Sequence, residues 1–111
     1  MIQALGKVTV ASPGVPIQVT DGLLNPTKHR ACHGIMIQAL PSNTGKIYIG
    51  NVELDSTTLV GCFAILAEPT ANTLPTFSAA LTIAPNGLEM ETFWIDADVS
   101  DDGVLVTVLV L

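Results

Sequence analysis

Gly103-Val104-Leu105-Val106-Thr107-Val108-Leu109-Val110-Leu111 is the stretch whose reading decides the fold. Successive side chains on a strand project to opposite faces. Val104, Val106, Val108 and Val110 therefore share one face, and Leu105, Leu109 and Leu111 share the other, interrupted only by Thr107. A strand with one wet face alternates apolar with polar residues, and this one does not. Its second face needs a cover, and in a chain of 111 residues the expected cover is a neighbouring subunit. Residues 31–40 repeat the pattern, with His33, Ile35, Ile37 and Ala39 on one face and Cys32, Met36 and Leu40 on the other.

Working outward, turn signals punctuate the chain at short intervals: Ser12-Pro13-Gly14, Pro41-Ser42-Asn43-Thr44-Gly45, Ala84-Pro85-Asn86-Gly87 and Asp101-Asp102-Gly103. Between them lie β-rich runs at 7–10, 15–20, 31–40, 46–52, 61–66, 77–83, 92–97 and 104–110. That spacing predicts an all-β, single-domain antiparallel β-sandwich over residues 1–111, jelly-roll-like, with about eight strands. No window shows a helical period; residues 54–59 allow one turn at most. In Lys46-Ile47-Tyr48-Ile49-Gly50, Ile47 and Ile49 point inward while Lys46, Tyr48 and Gly50 point out. Trp94 shares a face with Thr92 and Asp96, opposite Phe93 and Ile95, which makes it either a core residue of the other layer or an exposed aromatic at a contact.

Apolar residues make up 49% of the chain and charged ones only 13%, against a usual quarter. No apolar run is long enough to span a bilayer, and residues 1–7 lack a basic start followed by an apolar core, so no signal peptide is expected. Apolarity without these signals predicts surface that partners bury. The net charge of −6 argues against nucleic acid, which needs a basic face. The charge is segregated: Lys7, Lys28, Arg30 and Lys46 against Asp21 give residues 1–46 a charge of +3, while residues 47–111 hold nine acids and no base. A basic surface of one subunit can therefore meet an acidic one of its neighbour. Cys32 and Cys62 sit in apolar strand-like stretches and are expected to be reduced thiols.

The candidate chemistry is thin. His29, Cys32 and His33 lie close together in sequence, but on a strand Cys32 faces away from the histidines, and a zinc site needs three or four converging ligands. Asp96, Asp98, Asp101 and Asp102 before Gly103 resemble part of a calcium loop but lack its terminal bidentate glutamate. A tight strand connection with a positive φ at Gly103 is the simpler expectation. Glu89 and Glu91 are neighbouring acids of the kind any acidic chain contains. No nucleophile–base motif or phosphate-binding glycine loop occurs. The expectation is a protein that is not an enzyme and needs no metal or cofactor.

Several segments together carry a resemblance: Gly6-Lys7-Val8-Thr9-Val10-Ala11-Ser12-Pro13-Gly14-Val15-Pro16, Gln38-Ala39-Leu40-Pro41-Ser42-Asn43-Thr44-Gly45-Lys46-Ile47-Tyr48-Ile49-Gly50, Pro69-Thr70-Ala71-Asn72, and Ile95-Asp96-Ala97-Asp98-Val99-Ser100 before Gly103-Val104-Leu105-Val106. In this order they resemble small virion structural proteins of tailed bacteriophages and prophages. The resemblance implies a structural part of the particle, made in the host bacterial cytoplasm: a capsid decoration or cement protein on the capsid exterior, or a tail or neck accessory component. A carbohydrate-binding β-sandwich module is the alternative of a different class, with Trp94 and Tyr48 as its only large polar-tipped aromatics.

The expected partners are the chain itself, as a homo-oligomer and most simply a trimer, and the major capsid protein, with no nucleic acid and no membrane. The expected oligomer interface comprises Val104, Leu105, Val106, Leu109, Leu111, Ile35 and Ile37. Lys7, Lys28 and Arg30 are the expected electrostatic contacts.

Overall fold

β9 (Gly103–Val110) lies inside a sheet, between β1 (Ile2–Thr9) and β3 (Ala31–Ala39), in the computed structural model of the chain, which describes residues 2–19, 31–80, 88–89 and 92–110. It pairs antiparallel with both neighbours. β6 (Thr76–Ala80) extends this first sheet beyond β3, and the two-residue β7 (Leu88–Glu89) pairs with the start of β3. The second sheet has the order β2 (Ile17–Gln18), β8 (Trp94–Ala97), β4 (Ile47–Gly50), β5 (Cys62–Leu66), again all antiparallel. The fold is an all-β sandwich.

The inner faces are built from β-branched residues, which fit a pleated, half-buried surface. Val104, Val106 and Val108 of β9, Ile35, Ile37 and Ala39 of β3 and Val8 of β1 are buried against Ile47, Ile49, Leu66, Ile95 and Ala97 of the second sheet. Each fully buried Val or Ile contributes about 1.5–3 kcal/mol from area removed from water. Phe93 closes one side of the core, with its ring centroid 6.2 Å from Phe63 and 6.1 Å from Phe77, tilted as aromatic pairs prefer.

The strands depart from the sequence expectation in places with identifiable causes. β1 starts at Ile2, not at residue 7, because β9 offers it a partner along its whole length. The register slips between Ala4 and Gly6, a bulge that lets the apolar Leu5 pack against the core. The run expected at 15–20 pairs only at Ile17 and Gln18, since the preceding Pro16 has no N–H to give a ladder. Leu88–Glu89 was not expected as a strand. The expected ends at Thr20 and at residues 81–83 lie outside the described residues.

Two of the connections that cross between the sheets are fastened to each other. Residues 40–46 carry the chain from β3 to β4, and residues 98–102 carry it from β8 back to β9. The Asn43 side chain donates to the Gly103 carbonyl at 2.8 Å and accepts from the Gly103 N–H at 2.8 Å, as a ladder partner would. Asp102 Oδ2 accepts from the amides of Thr44 at 3.0 Å and Gly45 at 2.9 Å. Val10 joins the same corner, donating to the Asp102 carbonyl and accepting from the Asp101 N–H. Asp101, and not Gly103, takes the positive φ of the turn (70°), a conformation Asp tolerates better than most residues. Gly103 is required for a different reason: a Cβ there would strike the Val8 carbonyl and the Thr9 backbone.

Asn43→Ala removes both arms of the clasp and leaves the buried Gly103 N–H without its partner. The expected cost is about 3 kcal/mol, read as a shift in the denaturant midpoint, while Ser42→Ala on the exposed side of the same turn leaves the midpoint unchanged.

Candidate functional site: an uncovered sheet face

The outer faces of the two sheets are treated differently by the chain. In the middle of the second sheet two residues that point outward are nevertheless buried, while Ile65 on the edge strand β5, paired with Tyr48, is 45% exposed. Tyr48 on β4 and Asp96 on β8 stand opposite one another and are 9% and 1% exposed. The loop after β1 reaches Asp96, where the Gly14 amide donates to Oδ1 at 3.0 Å. The Tyr48 hydroxyl donates to Asp98 Oδ1 at 3.0 Å. The expectation that Tyr48 faces outward holds for its direction, but its ring is covered.

The first sheet has no such cover over its middle. Leu105 stands between Lys7 and Gln38, and Thr107 between Ala4 and Met36. Leu109 pairs with Gly34, whose missing side chain opens a shallow groove of about 240 Å³ floored by the strands and edged by Met36, Ser78, Thr107 and Leu109. Leu105 is 38% exposed, Leu109 42% and Met36 40%. The groove wall is almost wholly apolar, and the Lys7 ammonium stem is exposed beside Leu105. Burying these side chains against a partner is worth about 1 kcal/mol each, given that part of each is already covered.

Of the seven residues expected at an interface, the six that are described divide between the two faces of the first sheet. Val104, Val106 and Ile37 are fully enclosed, and Ile35 is 3% exposed. These four belong to the chain's own core, because the second sheet supplies their cover. Leu105 and Leu109 lie on the uncovered side, and Leu111 lies outside the described residues. Met36 joins the leucines although it was not expected at an interface; its place opposite Ile35 and Ile37 on β3 was the available signal. Of the expected electrostatic contacts, Lys7 flanks this face, while Lys28 and Arg30 lie outside the described residues.

Three of the aspartates in the acidic connection that resembled a calcium loop accept from protein donors, while Asp96 Oδ2 is buried without a hydrogen-bond partner among the described residues. Asp96 Oδ1 accepts from Gly14 and Ala97 amides, Asp98 from Tyr48, and Asp102 from Thr44 and Gly45 amides. Among the described residues, no three His, Cys, Asp or Glu side chains are grouped to hold a metal. His29 and Glu91 lie outside the described residues, as do the side chains of Cys32, His33 and Glu89. Cys62 is a free thiol on the edge strand β5, its Sγ 3.4 Å from the Ala64 carbonyl. Trp94 is half-buried on the outer face of the second sheet, not in the core. No protein family, curated protein or solved structure matches this chain.

Burial first, and then the hydrogen bond to Asp98, raise the Tyr48 pKa above the ordinary 10. A folded-state pKa above the unfolded one contributes stability that is present below pH 10 and is lost as pH rises through the folded value. Tyr48 is the only tyrosine, so phenolate absorbance reads it directly. Ionisation is expected only above pH 10 and together with loss of structure. Tyr48→Phe removes that share of the alkaline loss and costs about 1 kcal/mol at neutral pH through the lost Asp98 bond.

Proposed function

We propose that this chain is a structural protein of a tailed-phage particle, which assembles through the outer face of its first sheet and decorates the capsid exterior as cement. The observation behind the reading is the uncovered apolar middle of the first sheet's outer face. The chain buries Tyr48 and Asp96 in the middle of the second sheet and leaves Met36, Leu105 and Leu109 bare in the middle of the first. A bare apolar sheet face rimmed by polar groups is what an association surface looks like.

The strand succession supports the same direction. The first sheet runs β1-β9-β3-β6 and the second β2-β8-β4-β5, so the chain passes back and forth between the layers, which we read as jelly-roll winding. Viral capsid and lectin domains use that architecture. Fold-level analogy does not decide between them; the resemblance of the turn and strand segments to phage virion proteins favours the particle. A rigid domain of this kind suits closed cyclic symmetry, and a trimer suits threefold positions on a shell. In this reading apolar contact supplies most of the affinity and Lys7 mainly fixes register.

Light scattering of the purified protein is expected to give a trimer that Leu109→Asp converts to monomer, since a carboxylate in a dry contact costs several kcal/mol. Because Leu109 is exposed in the single chain, the variant keeps its far-ultraviolet circular dichroism and, within about 0.5 kcal/mol, its stability. Particles lacking the protein are expected to assemble and package but to release DNA at lower temperature. Particles that resist heat equally and fail to join tails would replace the cement role by a tail or neck role.

A further inference from the structure

We infer that the chain carries a second site, a saccharide-binding cleft centred on Trp94 that takes a single neutral pyranose ring. The cleft lies on the outer side of the second sheet, so association through the first sheet leaves it open. It holds about 340 Å³ between the loop carrying Gly14 and Pro16 and the loop of residues 52–57, at the small end of the range for ligand sites.

A pyranose has a flat apolar face and a rim of hydroxyls that both donate and accept. Its site needs a platform together with donors and acceptors, and this cleft has all three. Trp94 is the half-buried aromatic in the wall, and its indole N–H has no hydrogen-bond partner among the described residues. The hydroxyls of Ser56 and Thr57 and the Glu53 carboxylate are likewise uncommitted among the described residues. Asp55 is held in place by the amides of Thr57 at 2.8 Å and Thr58 at 3.2 Å. Those backbone hydrogen bonds hold its carboxyl below the usual range, so it faces ligands as an anion.

The loop that presents these groups is built before any ligand arrives. Leu54 is buried beneath it, the Asn51 side chain accepts from the Glu53 amide at 2.9 Å, and Asp55 and Val60 close its neck at 3.0 Å. A preformed loop loses little freedom on binding. Glu53 and Asp55 repel sialylated, uronic and phosphorylated sugars. A simple cation would use the ring face and the carboxylates but leave the indole N–H and the hydroxyl donors idle. Mixed donors and acceptors on an aromatic wall favour the neutral sugar.

Trp94 is the only tryptophan in the chain, so intrinsic fluorescence reports this cleft alone. The intact protein is titrated with the methyl glycosides of glucose, galactose, mannose and N-acetylglucosamine, and separately with sialyllactose and tetramethylammonium chloride. A saturable emission change with at least one neutral glycoside, at millimolar affinity, is expected, with none from sialyllactose. The surface pair Glu53→Ala and Thr57→Val is expected to weaken that affinity about tenfold with the melting temperature unchanged. Saturation by tetramethylammonium alone, no saturation by any glycoside up to its solubility limit, or an affinity untouched by the double variant overturns the proposal. None of these results depends on the oligomeric state, so the cleft and the assembly surface succeed or fail separately.

Discussion

The clasp between Asn43 and Gly103 is the constraint on which the rest of this sandwich depends. A two-sheet fold wound back and forth needs its crossings held in place, because a crossing has no strand partner of its own to satisfy its backbone groups. Here one crossing satisfies the other. The Asn43 amide stands in for a strand residue against Gly103, and Asp102 gives two loop amides an acceptor. Gly103 is also where β9 begins. The same few bonds therefore set the register of the central strand, and with it which of its faces is sealed and which is bare.

That register explains the asymmetry of the molecule. Once Val104, Val106 and Val108 are turned inward, Leu105 and Leu109 have to point out, and β3 places Met36 beside them for the same reason. The branched residues line the inside, where a stiff χ1 costs little and packing is tight. Leu105, Leu109 and Met36, none of them branched at Cβ, lie outside, where their freer χ1 leaves them adaptable. The second sheet buries Tyr48 and Asp96 at its middle, leaves Phe63 and Ile65 exposed on β5, and gathers Trp94, Glu53, Asp55, Ser56 and Thr57 around a cleft.

Much of this was legible in the residues of β9, and the limits are physical. Alternation separates the valines from the leucines without any structure, because the two-residue period is local. It does not say which set the chain covers for itself, since that depends on a sheet assembled from residues far away. Ile35, Ile37, Val104 and Val106 were expected at an interface for that reason. The outward direction of Tyr48 is legible and its burial is not, because its hydroxyl is held by Asp98, fifty residues later. Asn43 gave no signal at all: inside Pro41-Ser42-Asn43-Thr44-Gly45 an asparagine reads as an ordinary turn residue, and its role appears only when Gly103 is set against it. The cleft was half visible, in that Trp94 was recognised as out of phase with Phe93 and Ile95, while the loop that faces it was not.

The central place of β9 also bears on when the molecule comes into being. In the first sheet β1 and β3 do not pair with each other; both wait for β9 to lie between them. A nascent chain that has not yet emerged past Gly103 holds two unsatisfied strand edges and the valine-lined half of its core unfilled. Pairing across such sequence distances is slow, and the waiting state is the aggregation-prone one. Completion of β9 therefore acts as the gate to this sandwich, and the outward leucines arrive on the same segment that closes the core. The bare outer face of the first sheet therefore comes into existence only when the core is closed, so the proposed association would be timed by folding itself, without any repulsive contact.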